Sequence, residues 1–158
     1  MSNKLVEDIW TQIKTLIVNA QATGQPLEYV KTVLEGYREN LPIPGTFPCI
    51  MLNPVEEVEN MERLPYHPKI KFTLDIYCVT HYYNYDKQIA SQDTAVKGIF
   101  DFVADVKNVL WADPGLSGKA TLFKMPRVNY LFWTHNNYNF RAGVIQIETE
   151  VEATQTGR

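Results

Sequence analysis

Cysteine is scarce in this chain, which has only Cys49 and Cys78 among its 158 residues. Both lie in apolar, strand-like runs, so the sequence predicts buried, reduced thiols and no disulfide framework. Long apolar runs are missing as well, because no segment reaches the ~18 consecutive apolar residues that cross a membrane as a helix. The N-terminus has acidic residues early and no apolar region of the kind found in signal peptides. We therefore expect a soluble protein that is not exported.

An excess of basic charge is also absent. The chain has 15 Lys and Arg against 18 Asp and Glu, for a formal net charge of −3. Nucleic-acid-binding domains usually carry a basic surface. The composition therefore argues against DNA or RNA as a specifically bound partner.

Recognisable catalytic and ligand motifs are missing too. Cys78 and His81 are three apart on a predicted strand and point to opposite faces, while His67 and His135 are expected in loops, so no metal site is predicted. Residues 115–119 read Gly-Leu-Ser-Gly-Lys, but they follow a helix and precede a strand, the reverse of a phosphate-binding loop. Ser91 and Ser117 have no nucleophile elbow around them. We predict no catalytic residue, no cofactor and no metal.

What the chain does contain is the pattern of one α+β domain over residues 1–158, with 1–3 and 153–158 frayed. Apolar residues at helical spacing predict a helix over residues 4–21, with Asn3 as N-cap. A second helix is predicted over residues 86–110, capped by Asp86. Its apolar stripe is Ile89, Val96, Ile99, Phe100, Val103, Val106 and Leu110.

Strand patterns fill most of the remaining chain. Residues 27–37 fit either a helix or a strand, and β-branched content favours a strand. Further strands are predicted over 49–52, 69–79, 120–125, 128–133 and 140–151, with Pro48 at a strand start or on a sheet edge. Residues 53–68, which contain Glu56, Glu57, Glu59 and Glu62, are expected to form an acidic, solvated loop. The fold class is α+β: a mostly antiparallel sheet of about four to six strands with two main helices packed on one face.

Three groups of side chains are candidates for contacts. Tyr82, Tyr83 and Tyr85 form a polar, tyrosine-rich loop that either binds a partner or closes the core above the second helix. The sheet aromatics Tyr130, Phe132 and Tyr138 are assigned to core packing or a protein interface, since no basic groove accompanies them. In the last strand Glu148, Glu150 and Glu152 give one strongly acidic face.

With these elements in order, the chain resembles the tail terminator (tail-completion, head–tail joining) proteins of long-tailed bacteriophages. The N-terminal helix leading to Phe-Pro-Cys-Ile-Met-Leu-Asn-Pro at 47–54 carries part of the resemblance. The alternating strand at 69–79 carries another part. The helix at 86–110, the turn Leu-Trp-Ala-Asp-Pro-Gly-Leu-Ser-Gly at 110–118 and the two final strands complete it.

The resemblance implies a structural virion protein and not an enzyme. It would assemble, typically as a hexameric ring, on the end of a tail tube, stop tube polymerisation and join the head, with DNA passing through unbound. Its partners would be copies of itself, the tail tube protein and a head-completion protein, at the head–tail junction of the virion and in the host cytoplasm during assembly. Residues 53–68 and the tyrosine loop are then our candidates for subunit or tube contacts, and the acidic face of the last strand a candidate channel wall. The alternatives are another head–tail connector or minor tail protein, or a small-molecule-binding or enzymatic α+β domain.

Overall fold

The computed structural model describes residues 2–36, 47–60, 69–81, 98–135 and 138–152. Helix α1 spans Ser2–Asn19 and helix α2 spans Ile99–Trp111. The strands are β1 Thr32–Glu35, β2 Cys49–Asn60, β3 Lys69–His81, β4 Leu122–His135 and β5 Tyr138–Glu152. A short 3-10 turn, Leu116–Gly118, connects α2 to β4. The elements therefore follow the predicted order of helix, strands, helix, strands.

All five strands belong to one sheet with the order β1-β2-β3-β5-β4. Only β1 and β2 run parallel; the pairs β2–β3, β3–β5 and β5–β4 are antiparallel. The last strand to be made, β5, thus lies between β3 and β4. The predicted α+β class with a mostly antiparallel sheet is confirmed.

Both helices pack on one face of the sheet and share its main core. Ile9, Ile13 and Ile17 of α1 are fully buried in a single cluster with Phe102, Val106 and Leu110 of α2 and the inward residues of β2, β3 and β5. The face of the sheet opposite the helices is called the outer face below. Alternate residues of β3 and β5 point to these two faces, as period-two alternation requires.

Gly143 of β5 lets helix α2 lie directly on the sheet. A β-carbon at this position would overlap the side chain of Val103, and it would also lie 3.5 Å from atoms of Ile99 and Tyr130. Glycine is used where another part of the chain must approach the backbone closely. The N-terminal half of α2 therefore depends on the missing side chain of residue 143.

The structure corrects four sequence predictions. Helix α1 already includes Ser2 and Asn3, so Asn3 is not the N-cap. The helix predicted over 86–110 begins only at Ile99, because its N-cap Gly98 is extended, and residues 86–97 lie outside the described residues; its buried stripe contains Phe102, whereas Phe100 is exposed. The two strands predicted between 120 and 133 are one strand, because β4 continues through an irregularity between Lys124 and Arg127, around Pro126.

The fourth correction concerns the predicted loop at 53–68. Residues 53–60 continue β2, because Glu56, Glu57 and Val58 pair with β3 beyond an irregularity between Pro54 and Glu56. Residues 61–68, with Glu62, lie outside the described residues. A local excess of acidic residues gave the expectation of a loop, but pairing with a long neighbouring strand outweighs weak local propensity. Of the ambiguous segment 27–37, the structure describes residues 27–36, and within these Thr32–Glu35 is the strand, following a turn that buries Leu27 and Val30.

Among the described residues, neither helix is long and apolar enough to cross a membrane.

Candidate assembly surfaces

The acidic residues predicted on the last strand do share one face. Glu148, Glu150 and Glu152 alternate along β5 and point to the outer face of the sheet, opposite the buried Ile147, Thr149 and Val151. Lysines of the flanking strands lie among them: Lys71 pairs in register with Glu150, and Lys124 with Glu148.

Glu148 is the centre of this charged surface. Its Oε2 lies 3.2 Å from Lys124 Nζ and 4.0 Å from Lys71 Nζ, and its side chain is only 19% exposed. On the described strands, the outer face carries five acids and four bases: Glu56, Asp75, Glu148, Glu150, Glu152, Lys69, Lys71, Lys124 and Arg127. Among them, burial raises the pKa of Asp75. The predicted acidic face is therefore a mixed-charge surface with a small negative excess.

The other end of the outer face is apolar and buried. Phe47, Cys49, Met51, Val79, Phe140 and Ala142 form a second cluster there, separate from the main core. Cys49 and Cys78 are both buried, as predicted. Burial raises the pKa of the Cys78 thiol, with a smaller contribution from Cys49, so it has little thiolate character. The Cys78 thiol therefore fills space in the core and is a poor nucleophile.

An aromatic patch lies beside the N-terminus of α2 and consists of Phe100, Tyr130 and Phe132. Their side chains are 52%, 51% and 46% exposed. Phe100 and Tyr130 meet edge to face with ring centroids 5.4 Å apart, and the Arg141 guanidinium lies 4.9 Å from the centre of the Phe132 ring. The patch borders a groove of about 210 Å³. Exposed aromatic and arginine side chains together are characteristic of protein interfaces.

Arg141 adds a second feature to the aromatic patch. Its Nε is buried, yet no acceptor lies within hydrogen-bonding distance among the described residues. A buried donor without an acceptor is costly, by about 1–3 kcal/mol.

A larger and more open groove of about 460 Å³ lies between α1 and β2. Its walls include Val6 and Trp10 of the helix and Val55 and Phe72 of the sheet. Trp10 is held by a hydrogen bond of 2.7 Å from its Nε1 to Glu35 Oε1, and this bond is the main cause that lowers the pKa of Glu35. This is the cleft between helix and sheet in which a small molecule would be expected.

The glycine-rich segment after α2 is a structural turn. Asp113 accepts hydrogen bonds from the backbone N–H and the hydroxyl of Ser117, at 2.8 and 2.9 Å. Gln12 of α1 donates to both side chains, at 3.1 Å to Asp113 and 3.2 Å to Ser117. Leu116 and Ser117 have φ values of 50° and 55°. The hydrogen bonds to Asp113 stabilise this left-handed backbone conformation. The Ser117 hydroxyl takes part in the same network.

The remaining predicted contact and ligand residues are only partly covered. Tyr82, Tyr83 and Tyr85 lie outside the described residues, as do His67 and Asp86. Cys78 and His81 point to opposite faces of β3 as predicted, and His81 Nδ1 lies 3.0 Å from the Asn139 carbonyl oxygen. His135 falls at the end of β4, not in a loop. In the part of the chain that the structure describes, no three His, Cys, Asp or Glu side chains are placed to hold a metal ion.

Sequence reasoning missed Phe100, Leu131 and Arg141, which border the smaller groove. Phe100 was assigned to the buried stripe because it fits the helical period almost as well as Phe102. The lysines around Glu148 were missed because strand pairing between distant segments is not visible in one sequence. No protein-family model and no curated protein sequence matches this chain.

Proposed function

We propose that this protein is a structural assembly component, a phage tail terminator that forms a ring on the end of a tail tube, stops its polymerisation and provides the head-joining surface. The aromatic patch carries the proposal of an assembly role. A fold that buries its main core under two helices leaves Phe100, Tyr130 and Phe132 about half exposed. Exposed apolar patches on soluble proteins commonly mark protein interaction sites.

The identity of the assembly rests on the sequence resemblance. The predicted element order, a helix, two or three strands, a helix and two or three strands, agrees with the helix, three strands, helix and two strands of the described residues. A hexameric ring is consistent with termination of tube polymerisation, because a closed ring has no repeating axial contact through which to grow.

The outer face of the sheet is our candidate for the channel wall. Its lysines pair with its glutamates, so it offers DNA phosphates neither a basic surface to bind nor a strongly repelling one. The small excess of negative charge then favours passage of DNA without binding to the channel wall. Replacing Glu148 and Glu150 by Lys would make the face basic, and we expect the ring to retain DNA on a low-salt gel-shift assay. A variant ring that stays as inert to DNA as the wild type contradicts this placement.

A capping assay tests the proposal. Tail tube protein is polymerised with and without this protein, and tube lengths and ends are measured by electron microscopy. We expect shorter tubes with a ring at one end. Phe100→Ala with Tyr130→Ala should weaken capping, whereas the matched control Trp111→Ala, which also removes an exposed aromatic side chain from α2, should not.

Unchanged tube growth at a large excess of folded protein would refute the terminator function. A small molecule that copurifies and is lost on Trp10→Ala, measured by native mass spectrometry, would instead support the ligand-binding alternative in the groove between α1 and β2.

A further inference from the structure

Two strands of the sheet have long open edges. β1 covers β2 only from Cys49 to Leu52, so within the described part of the chain residues 53–60 pair with β3 alone. We call this segment the β2 edge. At the opposite side of the sheet, β5 is the only described strand that pairs with β4, and the first six residues of β4, 122–127, are called the β4 edge. Val58 of the one edge and Leu122 of the other are 45% and 40% exposed.

The two edges lie at the same level of the sheet, although they are at its opposite sides. Glu56 pairs with Thr73, Thr73 with Glu148, and Glu148 with Lys124, which makes one row across the sheet. The neighbouring row consists of Val58, Lys71, Glu150 and Leu122. Both edges also carry their strand irregularity at the same level, next to Pro54 and Pro126.

The charges of the two edges are opposite. The β2 edge contains Glu56, Glu57 and Glu59 and no basic residue, and all three side chains are exposed. The β4 edge contains Lys124 and Arg127 and no acidic residue, and both are exposed. Opposite charges on facing strands stabilise their pairing, and like charges destabilise it.

We propose that the β2 edge of one copy of this chain pairs with the β4 edge of the next copy, so that one sheet continues from subunit to subunit. The strand directions suit this arrangement, since β2 and β4 run in opposite directions and two copies side by side in the same orientation bring them together antiparallel. With no shift along the strands, Glu56 then lies beside Lys124 and Val58 beside Leu122. The pairing is confined to residues 122–127 of β4, and β4 must turn away beyond the irregularity at Pro126, because β1 of the copy that contributes the β2 edge occupies the place beside Cys49–Leu52. That these subunit contacts close into a ring rests on the proposed function.

Charge also selects the head-to-tail arrangement over a two-fold dimer. Two β2 edges would bring glutamates together, and two β4 edges would bring Lys124 and Arg127 together. Proline, irregularities and charge are the devices that keep open edges from pairing indiscriminately. A pairing of unlike edges is heterologous, and heterologous contacts generate rings when the rotation closes.

Charge reversal tests the pairing. Glu56→Lys places a basic side chain beside Lys124 of the neighbouring copy, and Lys124→Glu places an acidic side chain beside Glu56 of the neighbouring copy. Each variant alone should weaken self-association at least tenfold, as measured by sedimentation velocity, because like-charge contacts across an interface are strongly unfavourable. An equimolar mixture should reassemble, with the two variants alternating around the ring. Asp101→Lys, which reverses an exposed acid on α2, is the matched control and should assemble normally.

A cross-link gives an independent measurement. Val58→Cys combined with Leu122→Cys should yield covalent multimers with a short bismaleimide, whereas Val18→Cys combined with Leu122→Cys should not, although Val18 is 44% exposed on α1. Both assays are run with the protein in solution and on tail-tube ends. Unweakened assembly of the two reversal variants, a mixture that stays dissociated, or absence of the 58–122 cross-link in both settings overturns the edge pairing.

The two proposals fail separately. Tubes capped by rings that are insensitive to both reversals would leave the terminator function standing and overturn the edge pairing. Rings that depend on Glu56 and Lys124 but never stop tube growth would establish the edge pairing and refute the terminator function.

Discussion

Replacing Gly143 by alanine tests how α2 is seated on the sheet. The new methyl group would overlap Val103 and would also contact Ile99 and Tyr130. Overpacking a core costs about 1–3 kcal/mol. Alanine in a strand recovers about 0.5–1 kcal/mol of backbone entropy relative to glycine. We therefore expect Gly143→Ala to lower the free energy of unfolding by about 1–2 kcal/mol.

The cause can be isolated with a double-mutant cycle. Val103→Ala removes the atom that the new methyl group would meet, so the double variant should be more stable than the sum of the two single effects by about 1 kcal/mol or more. Val106→Ala is the matched control, because Val106 is buried on the same helix but is not among the atoms nearest residue 143.

Urea unfolding followed by circular dichroism measures all the variants. Since Tyr130 also borders the added methyl group, Gly143→Ala should in addition change the tyrosine fluorescence of the folded state. A neutral Gly143→Ala, or equal coupling to Val103→Ala and Val106→Ala, would refute the close-approach argument.

Two further predictions concern side-chain hydrogen bonds. Tyr29 donates a bond of 2.7 Å to Asp105, so Tyr29→Phe should cost about 1–2 kcal/mol of unfolding free energy. Burial, and after it Asp105, raises the pKa of Tyr29 in the folded state. The unfolding free energy of the wild type should therefore fall above pH ~10, and the difference in stability between the wild type and Tyr29→Phe should shrink there. A difference that does not change with pH would contradict this. Asp113→Ala should cost about 1 kcal/mol by removing the acceptor of the turn. The pKa of Asp113 is lowered chiefly by the hydrogen bond from the Ser117 backbone N–H. The stabilisation that Asp113 provides is therefore present above pH ~3.8 and is lost as the pH falls below that value. An equal loss of unfolding free energy on acidification in the wild type and in Asp113→Ala would exclude this contribution.

Local sequence patterns predicted the order of helices and strands well. They predicted poorly which strands pair and which side of a helix meets the sheet. The alternation of β3 and the spacing of α1 are properties of neighbouring residues, so they could be read from the chain. The strand character of residues 53–60 could not, because it comes from pairing with β3. Phe100 and Phe102 exchange places relative to the prediction because the helical period does not state which flank of α2 meets the sheet.

The same distinction applies to the candidate surfaces. Three glutamates on alternate positions of β5 predicted a shared face, and the prediction is correct. The charge of that face depends on Lys71 and Lys124, which are contributed by strands about 77 and 24 residues away along the chain. Register between distant strands is set by the complete sheet. The aromatic patch likewise needs α2 and β4 together before Phe100 and Tyr130 become neighbours.

The position of β5 between β3 and β4 has a consequence for biosynthesis. β4 is synthesised before β5, yet it reaches the sheet only through β5. Until β5 inserts, the chain has β1, β2 and β3 on one side and an unattached β4 on the other. The acidic and the basic edges therefore come to opposite sides of one sheet only in a fully folded subunit. If the edges pair as proposed, a partly synthesised chain offers one edge but not both, and it ends a growing assembly without extending it.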